Sequence, residues 1–343
     1  MHSFIRRLLP ATVFALMLGC GFLLVRPAAA QNTGEFFLQV SPSPLVSTLK
    51  PGQSTTLELN IRNAGPQAEN LKIAPRAFKL TSDQQLKLDD TAKPEIADWI
   101  RFSSPTFNIK PGQTQNQKIT IAVPKDAGFS YSFALVVSRT DNVAPSESGA
   151  SLKGSVAIFT LLNIDRPGAV RKLEVTNFKT TAGVYEYLPV DFDIDFQNTG
   201  NTIVQPAGSI FVQRGSNDKE PLDTLAVNSS NGYILPGSTR SLHVAWENGF
   251  PVDRTTTNAD GTTAKHLDWN WGNFGHIRFG QYTAKLVAIY NDGQRDVPIM
   301  TEVSFWVIPW KFLLGALVVL LLIGFGIWSM ISKAVKFGHR LKR

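Results

Sequence analysis

From about residue 35 to residue 308, apolar and polar side chains alternate and turn residues recur at short intervals, with no long stretch of helical periodicity. This pattern predicts an all-β exterior. In residues 54–62 (STTLELNIR) Leu57, Leu59 and Ile61 alternate with polar neighbours, and Asn63-Ala64-Gly65-Pro66 closes the strand. Residues 118–123 place Ile119, Ile121 and Val123 on one face before Pro124. Residues 190–196 (VDFDIDF) repeat the pattern and end in Gln197-Asn198-Thr199-Gly200-Asn201. Three alternating strands are preceded by the same turn: Lys50-Pro51-Gly52-Gln53, Lys110-Pro111-Gly112-Gln113 and Leu235-Pro236-Gly237-Ser238. Proline presets φ at the second position and glycine supplies the positive φ at the third, so each is expected to be a type II turn.

The chain divides at Asp165-Arg166-Pro167-Gly168, between an apolar strand over 155–164 and a strand expected from Val170. The first domain is then 35–165 and the second 168–308, each large enough to bury its own core. Residues 142–149 are expected to form a long hairpin loop within the first domain. The runs Trp99-Ile100-Arg101-Phe102 and Phe133-Ala134-Leu135-Val136-Val137 are expected to be core strands.

Hydropathy changes the picture at both ends. Residues 1–30 carry a basic start (Arg6, Arg7), an apolar stretch and Ala28-Ala29-Ala30, the three zones of a secretory signal cleaved after Ala30. Leu18-Gly19-Cys20 also resembles a lipobox faintly, but an apolar segment follows the cysteine where a lipoprotein turns polar. Cleavage after Ala30 leaves no cysteine, hence no disulfide and no thiolate metal site. Residues 312–331 (FLLGALVVLLLIGFGIWSMI) form an uncharged stretch of about 30 Å as a helix, the hydrocarbon thickness of a bilayer. Trp310 and Trp328 lie near its ends as membrane-interface anchors. Basic residues without acidic ones in the tail 332–343 place the C-terminus in the cytoplasm. Gly315, Gly324 and Gly326 do not make a GxxxG seam. The fold class is thus all-β, two immunoglobulin-like β-sandwich domains followed by one transmembrane helix.

The net charge of +7 belongs to topology: nine of the 34 basic residues lie in the signal, Lys311 and the tail, leaving 25 against 27 acidic ones. No nucleic-acid footprint remains.

Candidate chemistry is sparse. Asp191, Asp193 and Asp195 open like a calcium loop, but Phe196 stands where glycine is needed and Thr202 where a bidentate glutamate is needed, so they read as the solvent face of a strand. His266, Asp268 and His276 are zinc-ligand types without the spacing of a zinc motif. HExxH, G-x-S-x-G and phosphate-cradling glycine loops do not occur. No catalytic residue, cofactor or metal is therefore assigned, and the chain reads as non-enzymatic. The unusual segment is 267–279 (LDWNWGNFGHIRF). Trp269 and Trp271, two apart, would share one face of a strand with Asn273 and His276 beside them, either as a glycan platform or packed into the core. A polysaccharide hydrolase would require two carboxyl groups roughly 5–10 Å apart beside them.

The stretches FFLQVSPSPLVSTLKPGQSTTLELNIRNAG and WIRFSSPTFNIKPGQTQNQKITIAVPKDAGFSYSFALVV resemble the first immunoglobulin-like module of bacterial WxL-interacting cell-surface proteins. That resemblance implies a peptidoglycan-binding module, a second partner-binding module, a membrane helix and a basic tail, in the order found here. The Asn-Gln segment associated with the start of that family's first module does not occur, and no ligand-contacting residue transfers individually. The expected role is a single-pass plasma-membrane scaffold or adhesin with extracellular sandwiches, binding cell-wall polymer or another surface protein. The alternative is a chaperone-like accessory to surface-filament assembly, using an exposed sheet edge.

Overall fold

The computed structural model describes residues 36–80, 86–89, 93–140, 154–215, 220–257 and 261–340. The expected signal, Cys20 and loop 142–149 lie outside them. The first domain contains β1 (Leu38–Ser41), β2 (Leu45–Leu49), β3 (Ser54–Asn63), β4 (Glu69–Leu80), β5 (Leu86–Asp89), β6 (Ile100–Phe102), β7 (Thr106–Ile109), β8 (Thr114–Ala122), β9 (Ser130–Arg139) and β10 (Ser155–Ile164). The second contains β11 (Leu173–Thr180), β12 (Val184–Tyr185), β13 (Val190–Asn198), β14 (Ala207–Arg214), β15 (Asp223–Val227), β16 (Thr239–Trp246), β17 (Val252–Thr257), β18 (Thr263–Asp268), β19 (Gly280–Asn291) and β20 (Asp296–Val307). A helix, α1 (Trp310–Arg340), follows after two residues. It outruns the apolar stretch at both ends, so the described part of the basic tail continues the helix.

Each domain is a sandwich. In the first, a sheet ordered β1-β3-β8-β6 faces one ordered β2-β10-β9-β4-β5, with β7 on β4. In the second, β11-β13-β16 faces β12-β20-β19-β14-β15, and β17-β18 stands apart as a hairpin. Period-two alternation explains why: Leu59 and Ile61 of β3 and Ile119 and Ile121 of β8 all turn inward and are fully buried against Leu135 and Ile158. The run Phe133–Val137 is core, as expected, while Trp99 precedes its strand in a 3-10 turn and stacks edge-on against Tyr131 at 4.9 Å. In the second core, Val190, Phe192, Ile194 and Phe196 line β13. They meet an aromatic brace in which Trp246 lies 5.2 Å from Tyr282 and 6.0 Å from Phe305. Trp246 also donates its indole N–H to Asp223 at 3.1 Å, which satisfies the one polar atom burial would otherwise strand.

The three Pro-Gly turns are present, with φ of +77° at Gly52, +73° at Gly112 and +70° at Gly237. Two of them face a buried asparagine. Asn63, the last residue of β3, donates through Nδ2 to the carbonyls of Gln67 (2.6 Å) and Ile109 (3.1 Å) and accepts from the Gly65 N–H (2.9 Å). Its backbone exchanges hydrogen bonds with Gln113 and Gly112. Asn198 does the same at the end of β13: Nδ2 donates to Thr202 (2.8 Å) and Ile234 (2.9 Å), Oδ1 accepts from Gly200 (2.9 Å), and its backbone pairs with Ser238 and Gly237. The two domains thus share one device, in which an Asn-x-Gly sequence ties the end of a core strand to the turn that starts its neighbour.

The domain joint is equally specified. Ile164 ends β10 and Leu173 begins β11, three residues later than the sequence suggests. Asn163, buried, accepts from the Ile203 N–H at 3.1 Å and donates back to its carbonyl at 3.4 Å. Asn201 accepts from Val170 N–H (2.7 Å) and donates to the Gly168 carbonyl (2.8 Å). Ser130 donates to the Asn201 carbonyl at 3.1 Å, and Arg166 lies over the Phe129 ring at 5.5 Å. A Cβ at Gly200 would collide with the Val170 carbonyl oxygen, so the linker's close approach requires glycine there.

Asn198→Ala takes the side-chain partner from the Thr202 carbonyl and the Gly200 N–H and leaves the Ile234 carbonyl with the Val204 N–H alone. It is expected to lower stability by about 2–4 kcal/mol, read by urea unfolding of the detergent-solubilised chain. Asn163→Ala is expected to cost only about 1–2 kcal/mol but to broaden the distance distribution between spin labels placed one on each domain.

Candidate functional site

Two places on the exterior combine apolar surface with accessible polar groups. The first is the predicted aromatic segment, and the structure puts it outside the core. Trp269 is 42% exposed, Trp271 68% and Phe274 56%. The core reading of these tryptophans is therefore corrected: Trp246 fills the core position, at the end of the Leu242-Val244-Trp246 alternation. Nor do Trp269 and Trp271 share a strand face, because β18 ends at Asp268 and a 3-10 turn spans Trp271–His276. Asn270 caps that turn, its side chain accepting from the Gly272 N–H and its carbonyl from the Asn273 N–H.

Phe250 is the hub. Its ring lies 5.7 Å from Trp269, 5.4 Å from Trp271 and 5.5 Å from Phe274. Trp271 is flanked by near-parallel rings, Trp269 at 6.0 Å and 25° and Phe274 at 6.2 Å and 18°. Phe250 is itself held by a bridge to Ile277, and the Asp253 N–H donates to the Leu188 carbonyl at 2.7 Å. Beneath the rings is a small, mostly apolar cavity of about 120 Å³ whose far wall is Pro309 and Phe312 at the start of α1.

The polar residues expected to assist do not converge on a ligand. Asn273 is exposed, and His276 is half-buried with Nδ1 unpartnered. Asp268 is held by Arg254 at 2.7 Å, and no cluster of three metal-ligating side chains occurs among the described residues. One carboxylate, Glu186, lines the cavity, ion-paired to Lys311 at 2.8 Å, so the two-carboxylate arrangement of a glycosidase is not formed there. Burial, with Glu186 adding to it, holds the neighbouring Tyr187 hydroxyl above the usual phenol range. Burial lowers the affinity of the Arg278 guanidinium for its proton; it donates to the Asn248 carbonyl at 2.8 Å and lies over Trp246 at 5.5 Å. The calcium-like aspartates are spent on β16 instead: Asp193 meets His243 Nδ1 at 2.6 Å, and Asp195 accepts from Ser241 at 2.6 Å.

The second place is the crease between the domains, which no sequence motif announced. The face of β10 that carries Phe159 and Leu161 looks towards the second domain. Phe159 packs edge-on against Phe78 of β4 at 5.4 Å. With Ser43, Pro44, Tyr233 and Arg240 they line a cleft of about 500 Å³. Arg240 stretches across Gly232, reaches Ser230 at 3.5 Å and leaves Nε buried without a partner. Beside this cleft, β10 pairs along its whole length with β9, but with β2 only over Thr160–Ile164. Residues 155–159 therefore have no second strand neighbour among the described residues.

No family model matches the chain, and no curated protein does. Among solved structures it is similar to the class 5 fimbriae chaperone CfaA, at 11% identity over 77% of this chain and 99% of that one, with a TM-score of 0.38. The YadV chaperone matches at 11% identity over 78% and 99%, TM-score 0.35. The E. coli chaperone DraB matches at 14% identity over 68% and 98%, TM-score 0.33. These similarities assign no partner and no site.

Proposed function

We propose that this chain is a membrane-anchored exterior module that captures an extended segment of another surface protein along the free half of β10, in the crease between its two sandwiches. The observation that carries the reading is the edge at 155–159, which has no second strand neighbour among the described residues and runs up to the Phe159–Phe78 pair at the cleft. A sheet edge presents alternating backbone donors and acceptors, and an added strand satisfies them while its side chains find adjacent pockets. Here the adjacent pocket is apolar on one wall and cationic on the other. The Arg240 guanidinium, which packs against Gly232 at the cleft, supplies the cation, so a carbonyl or carboxylate of the incoming chain gains a charge-assisted bond there.

Anchoring rests on α1. It is long and apolar enough to cross a membrane over Trp310–Ser332, and none of that stretch is buried against the sandwiches. Trp310 and Trp328 are separated by a helical rise of about 27 Å, which supports reading both rings as interface anchors. The basic tail then faces the cytoplasm and both domains face outward, in the order of segments of the WxL-interacting proteins the sequence resembles.

A photo-crosslinking residue in place of Ala157 is expected to give an adduct with an extended, alternating segment of an exported protein in producing cells, mapped by mass spectrometry. The same residue at Lys118, exposed on the opposite sheet, is expected to give none. Equal labelling at both positions, or at neither, counts against the crease. Phe159→Ser is expected to weaken that capture about tenfold, since one well-packed aromatic anchor is worth roughly 1–2 kcal/mol.

A further inference from the structure

We infer that the aromatic loop is a second membrane contact: Trp269, Trp271 and Phe274, organised around Phe250, lie in the headgroup–acyl boundary of the leaflet that α1 enters. This rests on the reading of α1 as a membrane anchor and goes beyond it, because a sandwich joined to an anchor has no need to touch lipid itself.

Position gives the first argument. The cavity lined by the rings is also lined by Pro309 and Phe312, and Phe312 is the third residue of α1. The loop is therefore level with the first turn of the helix, where hydrocarbon begins. Trp306 and Trp310, 45% and 54% exposed, stand at the same level. Exposed aromatics thus gather where the helix leaves the sandwich.

Chemistry gives the second. Between Trp269 and Phe279, five large apolar side chains are exposed: Trp269, Trp271, Phe274, Ile277 and Phe279. A contiguous patch of this kind is costly against water and marks an interaction surface. The only charged side chain in that stretch, Arg278, is turned inward to the Asn248 carbonyl and the Trp246 ring. What the loop presents outward is aromatic edge and amide, the amphipathic combination that settles at a membrane–water interface.

The third argument separates lipid from sugar. A sugar stacks on a free ring face flanked by hydrogen-bonding groups. Trp271 is flanked by near-parallel rings on Trp269 and Phe274, and Asn270 is committed to its own turn. The loop offers ring edges on a preformed, hub-braced wedge, which inserts among acyl chains without first paying to become ordered.

The test uses the full chain in lipid nanodiscs, with fluorotryptophan at all tryptophans and a nitroxide on the upper acyl chain. In fluorine NMR the Trp269 and Trp271 resonances are expected to broaden to the same order as Trp310, while Trp246 in the sandwich core stays sharp. In a Trp271→Ser/Phe274→Ser variant the Trp269 line is expected to narrow with Trp246 unmoved, which shows that the fold is intact. Sharp lines at Trp269 and Trp271 with broadened Trp310 and Trp328 overturn the inference and leave the anchor standing. Sharp lines at all four overturn the anchor and this inference together. Shifts of Trp269 and Trp271 with soluble peptidoglycan fragments, and none with the lipid label, assign the loop to glycan instead.

Discussion

The buried asparagine at the end of a core strand is the constraint on which both domains depend. A sandwich must turn its chain from one sheet into the next without stranding backbone groups in the interior. Asn63 and Asn198 meet that demand with one short side chain each. The amide donates to two carbonyls on different segments and accepts from the glycine two residues on, while the backbone of the same residue pairs with the Pro-Gly turn. Aspartate has no donor to offer, and glutamine would displace the loop by a methylene. The strand end, the turn and the next strand are thus fixed as a unit, and the alternation of Leu59, Ile61, Phe192 and Ile194 points inward because that unit sets the register.

Much of this was legible in the sequence. Period-two patterning located β3, β8, β13 and β16 to within a few residues, and an apolar run located β10, since alternation and Pro-Gly chemistry act locally. The apolar helix was equally plain, although its extension through the basic tail was not, because that tail is polar and carries Gly338. What sequence could not assign was where Trp269 goes. Trp246 closes the Leu242-Val244-Trp246 alternation and sits opposite Val190 at the start of β13, over the core, whereas Trp269 lies beyond the last residue of a hairpin that has no opposing sheet. Burial was decided by long-range pairing. The crease was invisible for the same reason: Phe78 and Phe159 meet across β9 within one sheet, and Arg240 joins them only through the joint that Asn163 and Asn201 build.

The two surfaces ask for different partners because their chemistry differs. The crease couples a backbone edge without a second strand neighbour among the described residues to the Arg240 cation, features that reward directional hydrogen bonding. The aromatic loop has neither an edge nor an outward charge and rewards a medium without direction. Placing them at opposite ends of the second domain lets one hold the molecule in place while the other remains open to a protein.

The connection between β20 and α1 has a mechanical consequence. Only Ile308 and Pro309 separate the last strand from the helix, so a pull on a captured partner would reach the anchor through β20 itself. That strand pairs with β19 over twelve consecutive positions, from Asp296 to Val307, and its final two residues are held on the other side by β12. Tension along its axis shears the whole ladder at once rather than peeling it bond by bond. Load carried through α1 thus falls on twelve strand pairs at once.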